Sequence, residues 1–185
     1  EMRKFEKSFV NSDFCNFLQK KYFFRKFFDF IGKELEGNAL EIGCGIGVTT
    51  ELLSARYKNL DFTAIDFDKG QVKLAKEGKK SGKIRFMQGD ATNLKFKDRS
   101  FDYVFESDVF HHIKNYSDAI KEVSSVLKKN GVFYLMDISK YCFIWPVRLL
   151  FPPESFFTKK EFMEKLTENG FRVEKSAGNL IFLVQ

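Results

Sequence analysis

Residues 39–53 read ALEIGCGIGVTTELL: a short apolar strand, a glycine-rich turn and the start of a helix. Such a turn presents backbone N–H groups and a helix N-terminus to a ligand. Gly43, Gly45 and Gly47 have the spacing G-x-G-x-G, whereas the dinucleotide fingerprint is G-x-G-x-x-G. The third position of that fingerprint is Val48 here, and a branched side chain there is expected to obstruct close helix packing. Glu41 precedes the loop. A carboxylate there is poorly placed beside a pyrophosphate and well placed to attract a cation, directly or through water.

Outward from the loop, strand and helix signals alternate. LDFTAID reads as a second strand ending at Asp66, and Asp68 as the cap of the helix KGQVKLAKEGKK. KIRFMQGD and SFDYVFES read as strands three and four. SDAIKEVSSVLKKNG reads as an amphipathic helix capped by Ser117 and closed by Gly131, and VFYLMDI as a fifth strand. A last helix begins at Thr158. The segment 171–185 then reads as two strands around a short SAGN turn, which forces an antiparallel pair. The fold expected is α/β: a doubly wound, Rossmann-like, seven-stranded sheet, mostly parallel with an antiparallel last strand and helices on both faces.

One domain is expected over 1–185. Within it, 1–36 would be amphipathic N-terminal helices forming a lid and 37–138 a cofactor-binding core. Residues 139–157 would be an apolar insertion, and 158–185 the last helix and strand pair. The net charge of +6 permits an acidic partner without demanding one. Cys15, Cys44 and Cys142 are too scattered for a metal cluster or a disulfide framework, so no metal is expected and a reducing, cytoplasmic setting fits. No apolar run reaches the ~20 residues of a membrane span. The 24 Phe admit two readings, an aromatic pocket or membrane face, and a compositional bias toward Phe, Lys and Asn.

Ligands of such sheets bind beyond the carboxyl ends of the strands. Strand two delivers Asp66 there, where a carboxylate can take both hydroxyls of a ribose. Strand three delivers Gly89, Asp90 and Ala91, where a carboxylate can accept from an exocyclic amine and the next N–H can donate to a ring nitrogen. Strand four delivers Glu106, Ser107 and Asp108. Each has a plain alternative: Asp66 as a cap, Asp90 as a turn residue, Glu106 and Asp108 as loop carboxylates.

The segments LEIGCGIG, AIDFD, GDA, FDYVFESDVFHHI and LKKNGVFYLMD, in this order, resemble a class I S-adenosylmethionine-dependent methyltransferase of the small-molecule type (methyltransferase type 11, ubiquinone-biosynthesis-like). The resemblance implies a sulfonium cofactor, S-adenosylmethionine, with S-adenosylhomocysteine as its product. It implies that Gly43, Cys44, Gly45 and Gly47 approach the methionine and ribose. Glu41 then suits the α-amino and sulfonium end. Asp66, with Phe67 beside it, takes the ribose, Asp90 and Ala91 read the adenine edge, and Glu106 and Ser107 lie near the transferring methyl. His111 and His112, the two histidines of the chain, follow strand four as candidates for a general base.

The partner expected is a small, apolar or lipid-like acceptor. The segment SKYCFIWPVRLLFPPESFF could line its pocket, touch a membrane surface peripherally, or plug the protein's own core or a dimer interface. Nucleic acid is disfavoured by the lack of an RNA-binding appendage and of nucleobase-methylation motifs. RNA methylation, and a cofactor-binding protein without turnover, stand as alternatives. A nicotinamide oxidoreductase is disfavoured by the glycine spacing.

Overall fold

The strand that ends at the glycine loop lies in the interior of the sheet. The computed structural model describes residues 24–32, 34–78, 83–137, 157–177 and 181–184. In chain order the elements are α1 (Phe24–Ile31), β1 (Glu36–Ile42), α2 (Val48–Arg56), β2 (Asn59–Asp66), α3 (Lys69–Gly78), β3 (Ile84–Gln88) and β4 (Phe101–Ser107). They continue with a 3₁₀ turn (Phe110–His112), α4 (Tyr116–Val126), β5 (Leu127–Met136), α5 (Lys159–Glu168), β6 (Val173–Ala177) and β7 (Ile181–Val184). The sheet order is β3-β2-β1-β4-β5-β7-β6. The first five strands are parallel, and β7 runs antiparallel to both β5 and β6. The expected lid helices before Phe24 and the apolar insertion up to Phe156 lie outside the described residues, as do Cys15 and Cys142.

Side chains alternate between the faces of a strand, so the parallel strands build two cores. Leu40, Ile42, Val104, Phe133 and Leu135 meet Ile120 and Val123 of α4 and Phe162 and Leu166 of α5 on one face. Ala39, Phe62, Ala64, Phe105 and Tyr134 meet Phe27 and Ile31 of α1, Leu53 of α2 and Val72 of α3 on the other. Burial on both faces explains why these strands read as near-continuous apolar runs. Lys175 of β6 reaches the Phe30 carbonyl at 2.8 Å and ties α1 to the far end of the sheet.

Two local readings hold. Asp68 Oδ1 accepts from the N–H groups of Gly70 (2.8 Å) and Gln71 (3.2 Å) and caps α3. Thr158 and Glu161 form a reciprocal capping box on α5. Thr158→Ala is expected to lower stability by about 1 kcal/mol, read as a lower urea midpoint at unchanged slope.

One reading is corrected. Residue Asn115, not Ser117, stands at the start of α4, without a side-chain cap, and the helix stops at Val126 rather than running to Gly131. Leu127 turns extended because it pairs with Phe101 of β4, and residues up to Val132 form an irregularity in that ladder. Gly131 serves this tight passage: a Cβ there would stand 2.8 Å from Leu127 Cδ2 and 3.0 Å from the Lys128 carbonyl.

Candidate functional site

Between β1 and β4 the sheet order reverses, because β1 pairs with β2 on one side and β4 on the other. The loops leaving these two strands diverge there, at the switch point where doubly wound sheets bind ligands. Ile42 pairs with Glu106, so the glycine loop and the segment 107–112 are side by side.

The loop is fixed by backbone bonds. Cys44 N–H donates to the Ile65 carbonyl (2.9 Å) and Gly47 N–H to the Cys44 carbonyl (2.8 Å). Each glycine has its own reason. Gly43 (φ 71°) lies against Val109, where a Cβ would come within 2.2 Å of Cγ2. Gly47 (φ 85°) lets α2 close on the sheet, since a Cβ would stand 2.7 Å from the Phe86 ring. The close packing that Val48 was expected to obstruct is thus made one residue earlier, at Gly47. Gly45 (φ 53°) is different: a Cβ there would meet no atom of the described residues within 4 Å. Its missing side chain leaves open space instead of admitting a neighbour.

Asp66 ends β2 beside this space. Its Oδ2 accepts from Gly45 N–H and its Oδ1 from Asp68 N–H, both at 2.8 Å. The carboxylate therefore also anchors the loop, a duty that the sequence did not suggest. Phe67 follows with its side chain 61% exposed. Gly89 N–H donates to the Asp66 carbonyl (3.0 Å), drawing the end of β3 alongside. Asp90 Oδ1 accepts from the Thr92 backbone (2.8 Å) and hydroxyl (2.7 Å), which fits the turn role as well as a ligand role. Ala91 is half-buried against the core.

Beneath the loop, Glu41 is buried beside the buried Thr50, and among the described residues nothing donates a hydrogen bond to its Oε2. Burial pushes the Glu41 carboxyl up to about 8, Thr50 opposing and the Asp66 charge adding. Burial likewise pushes the Cys44 thiol up, with Glu41 and Asp66 reinforcing, which favours its neutral form over the thiolate.

On the β4 side the two histidines separate. His112 is exposed, whereas His111 is buried and its Nδ1 lies 2.6 Å from Asp137 Oδ1. The His111 backbone N–H also approaches Asp137 Oδ2 (3.3 Å). Asp137, just past β5, was missed from the sequence. The available signal was its position: it ends the stretch LKKNGVFYLMD at the carboxyl end of a strand, where functional carboxylates gather. Glu106 is fully buried, and its Oε1 accepts from Val109 N–H (2.6 Å) and Phe110 N–H (3.4 Å). It thereby fixes the valine that packs on Gly43. Ser107 is half-buried at the end of β4. Asp108 adopts φ 57°, uncommon outside glycine, and burial with the Asp137 charge raises its carboxyl to about 7, His111 opposing. The structure thus brings together the loop, Asp66, Asp90 and the 106–112 segment. Among the described residues no group of His, Cys, Asp and Glu could hold a metal ion.

Comparison with known proteins agrees with this architecture. A family profile described as a methyltransferase domain matches residues 40–135. The demethylmenaquinone methyltransferase of Staphylococcus aureus (strain MRSA252) is 30% identical over 131 residues, covering 70% of this chain and 54% of that protein. Phthiotriol/phenolphthiotriol dimycocerosates methyltransferase 1 of Mycobacterium ulcerans (strain Agy99) is 31% identical over 106 residues, covering 57% of this chain and 39% of that protein. The chain therefore spans well under two thirds of the length of either relative. A solved structure of a SAM dependent methyltransferase from Aquifex aeolicus superposes with a TM-score of 0.76 at 18% identity, over 100% of this chain and 99% of that one, which speaks to the fold.

Proposed function

The chain belongs to the methyltransferase-domain family that uses S-adenosylmethionine, and from that premise we propose that it methylates a small, apolar or lipid-like acceptor. When bound, this cofactor offers an electrophilic methyl on a sulfonium that leaves as a neutral thioether. The observation that carries the cofactor cleft is the space that the described residues leave open at Gly45, bounded by the Asp66 carboxylate and underlain by Glu41 Oε2, which none of them partners. An adenosyl sulfonium with an amino group suits these residues; a pyrophosphate beside two carboxylates does not.

In this reading Gly43, Cys44, Gly45 and Gly47 let the backbone approach the methionine and ribose. Asp66 holds the ribose hydroxyls while keeping the loop in place. Phe67 offers its exposed ring to the adenine, and Asp90 and Ala91 read the adenine edge. Ser107 borders the methyl, and Glu106 acts from beneath through Val109. In-line displacement draws much of its rate from alignment in a dry site. If the acceptor carries a proton on the attacking atom, His111 takes it as the new bond to the methyl forms. Asp137 on Nδ1 supports this role, because it favours the tautomer with an acceptor at Nε2. His112, exposed, is the weaker candidate.

The acceptor class draws on the relatives, which are lipid or quinone methyltransferases by name. Peripheral contact with a membrane surface is consistent with such an acceptor. Among the described residues no helix is long and apolar enough to cross a membrane.

Calorimetric titration with S-adenosylhomocysteine, NAD serving as the comparison, tests the cofactor site. Asp66→Ala is expected to weaken S-adenosylhomocysteine by about 1–3 kcal/mol, since ribose hydroxyls lose their partner. An unchanged dissociation constant would count against the assignment. The acceptor is tested by transfer of labelled methyl from S-adenosylmethionine to demethylmenaquinone, to a lipid extract and to RNA. Label in RNA alone, lost with rising salt, would overturn the acceptor class.

A further inference from the structure

The His111–Asp137 pair has a third member. β4 and β5 run parallel with Glu106 opposite Leu135 and Ser107 opposite Met136. Val104 of β4 and Phe133 and Leu135 of β5 all face the same core. By alternation Glu106 and Asp137 continue that face, as diagonal neighbours across the two strand ends. Both are buried, at 0% and 7% exposure. The oxygens of Asp137 receive the His111 ring nitrogen and backbone N–H. Glu106 Oε1 receives Val109 and Phe110 N–H, and among the described residues its Oε2 receives no donor.

Two adjacent carboxyls in a dry site cannot both ionise without a cation between them. Asp137 has the imidazole, so the charge belongs there. The proton belongs on Glu106, where it also supplies the hydrogen bond that Oε2 lacks. We propose that Glu106 is a positioning residue for His111: it stays protonated, gives its hydrogen to Asp137, and leaves Asp137 as the single anion on His111 Nδ1. This deepens the reading of His111 as the base and rests on it. Burial first, then the Asp137 charge, holds the Glu106 carboxyl well above the usual carboxylate range, which agrees with the geometry.

The arrangement has a chemical purpose. A second full charge against Asp137 would raise the proton affinity of the imidazole and make it a poorer base at neutral pH. A neutral acid donating to Asp137 instead moderates that carboxylate while fixing the imidazole tautomer. Among the described residues, the titratable groups facing His111 are Glu106 and Asp108 from the end of β4, Asp137 from β5, and His112, whose ring centre is 4.0 Å away.

The test is nuclear magnetic resonance on protein with ¹⁵N-labelled histidine, in the presence of S-adenosylhomocysteine, across pH 5–9. Two histidines give two sets of signals, assigned with His112→Gln. His111 is expected with its proton on Nδ1. Glu106→Gln should preserve this tautomer and move the His111 titration midpoint by less than about half a pH unit, because an amide donates to Asp137 as the neutral acid does. A fall of a full pH unit or more would overturn the proposal, since it would mean that a negative charge had been removed. Should Glu106→Gln fail to fold, the side-chain carboxyl ¹³C signal of Glu106 in the unaltered protein decides. A titration above pH 7 supports the shared proton, and an ordinary carboxylate titration overturns it. Asp137→Asn should mix the two tautomers of His111; an unmixed Nδ1–H form would overturn the role given to Asp137. Loss of S-adenosylhomocysteine binding, followed by calorimetry on the same samples, bears on the cofactor reading alone and leaves the tautomer result standing.

Discussion

Gly43→Ala is expected to destabilise the protein by about 2–5 kcal/mol, whereas Gly45→Ala should leave it folded but binding S-adenosylhomocysteine far more weakly. At Gly43 two penalties add. The left-handed backbone disfavours a side chain by roughly 1–2 kcal/mol, and the new Cβ would lie 2.2 and 2.6 Å from the two methyls of Val109. Val109 cannot retreat easily, because its N–H is held by Glu106 and Phe110 after it is fully buried. For a chain of this size the loss corresponds to a thermal midpoint lower by about 5–15 °C. At Gly45 the backbone penalty stands alone among the described residues, since a Cβ meets none of their atoms within 4 Å. That carbon enters the space assigned to the cofactor and should weaken binding more than tenfold. Scanning and titration calorimetry on both variants separate the effects. Native-like binding by Gly45→Ala would remove the cofactor from that space.

The second large effect concerns Glu41 and pH. Its carboxyl titrates at about 8 in the folded protein and near 4.5 in an unfolded chain, burial being the main cause. Between these values the unfolded chain has released a proton that the folded one keeps. Stability from this group is therefore lost as pH rises through the window, by about 1.4 kcal/mol per pH unit at most. Below the unfolded value the penalty is absent; above the folded value it is complete, at several kcal/mol. Glu41→Gln should flatten this part of the stability–pH curve, measured by urea unfolding at pH 5, 6, 7 and 8. The same residue should betray cofactor binding. An ammonium and a sulfonium nearby favour the ionised carboxylate, so S-adenosylmethionine should expel up to one proton near pH 6.5. Titrations in buffers of different ionisation heat read that proton. Glu41→Gln should abolish the release and weaken binding; an equal release from the variant would place the proton on another group.

The alternation of strands and helices, the glycine loop and the carboxylates at strand ends were legible because each is written locally. A period of two, a turn residue or a cap such as Thr158 needs no knowledge of the rest of the chain. What depended on strand register was not legible. The end of α4 at Val126 is decided by Phe101, which draws Leu127 into the sheet against a helical pattern that continues on paper. The difference between His111 and His112 is decided by Asp137, which only the pairing of β4 with β5 brings near. The separate duties of Gly43, Gly45 and Gly47 were hidden for the same reason: their contacts are Val109, empty space and Phe86.

The position of β1 between β2 and β4 also dictates the order in which the site can exist as the chain is made. β2 follows β1 after a single helix and can pair early, but β4 begins at Phe101, more than fifty residues beyond the glycine loop. Parallel pairing over such separations closes slowly, because loop entropy is lost before contacts compensate. A nascent chain that has emerged only as far as the turn after β3 carries every glycine of the loop, Asp66 and Asp90. It lacks Val109 to brace Gly43 and the whole wall bearing His111. On the proposed site, the cofactor would meet a half-built cleft until β4 docks, and its binding energy would bear on the late steps of folding, pulling the finished sheet forward by mass action.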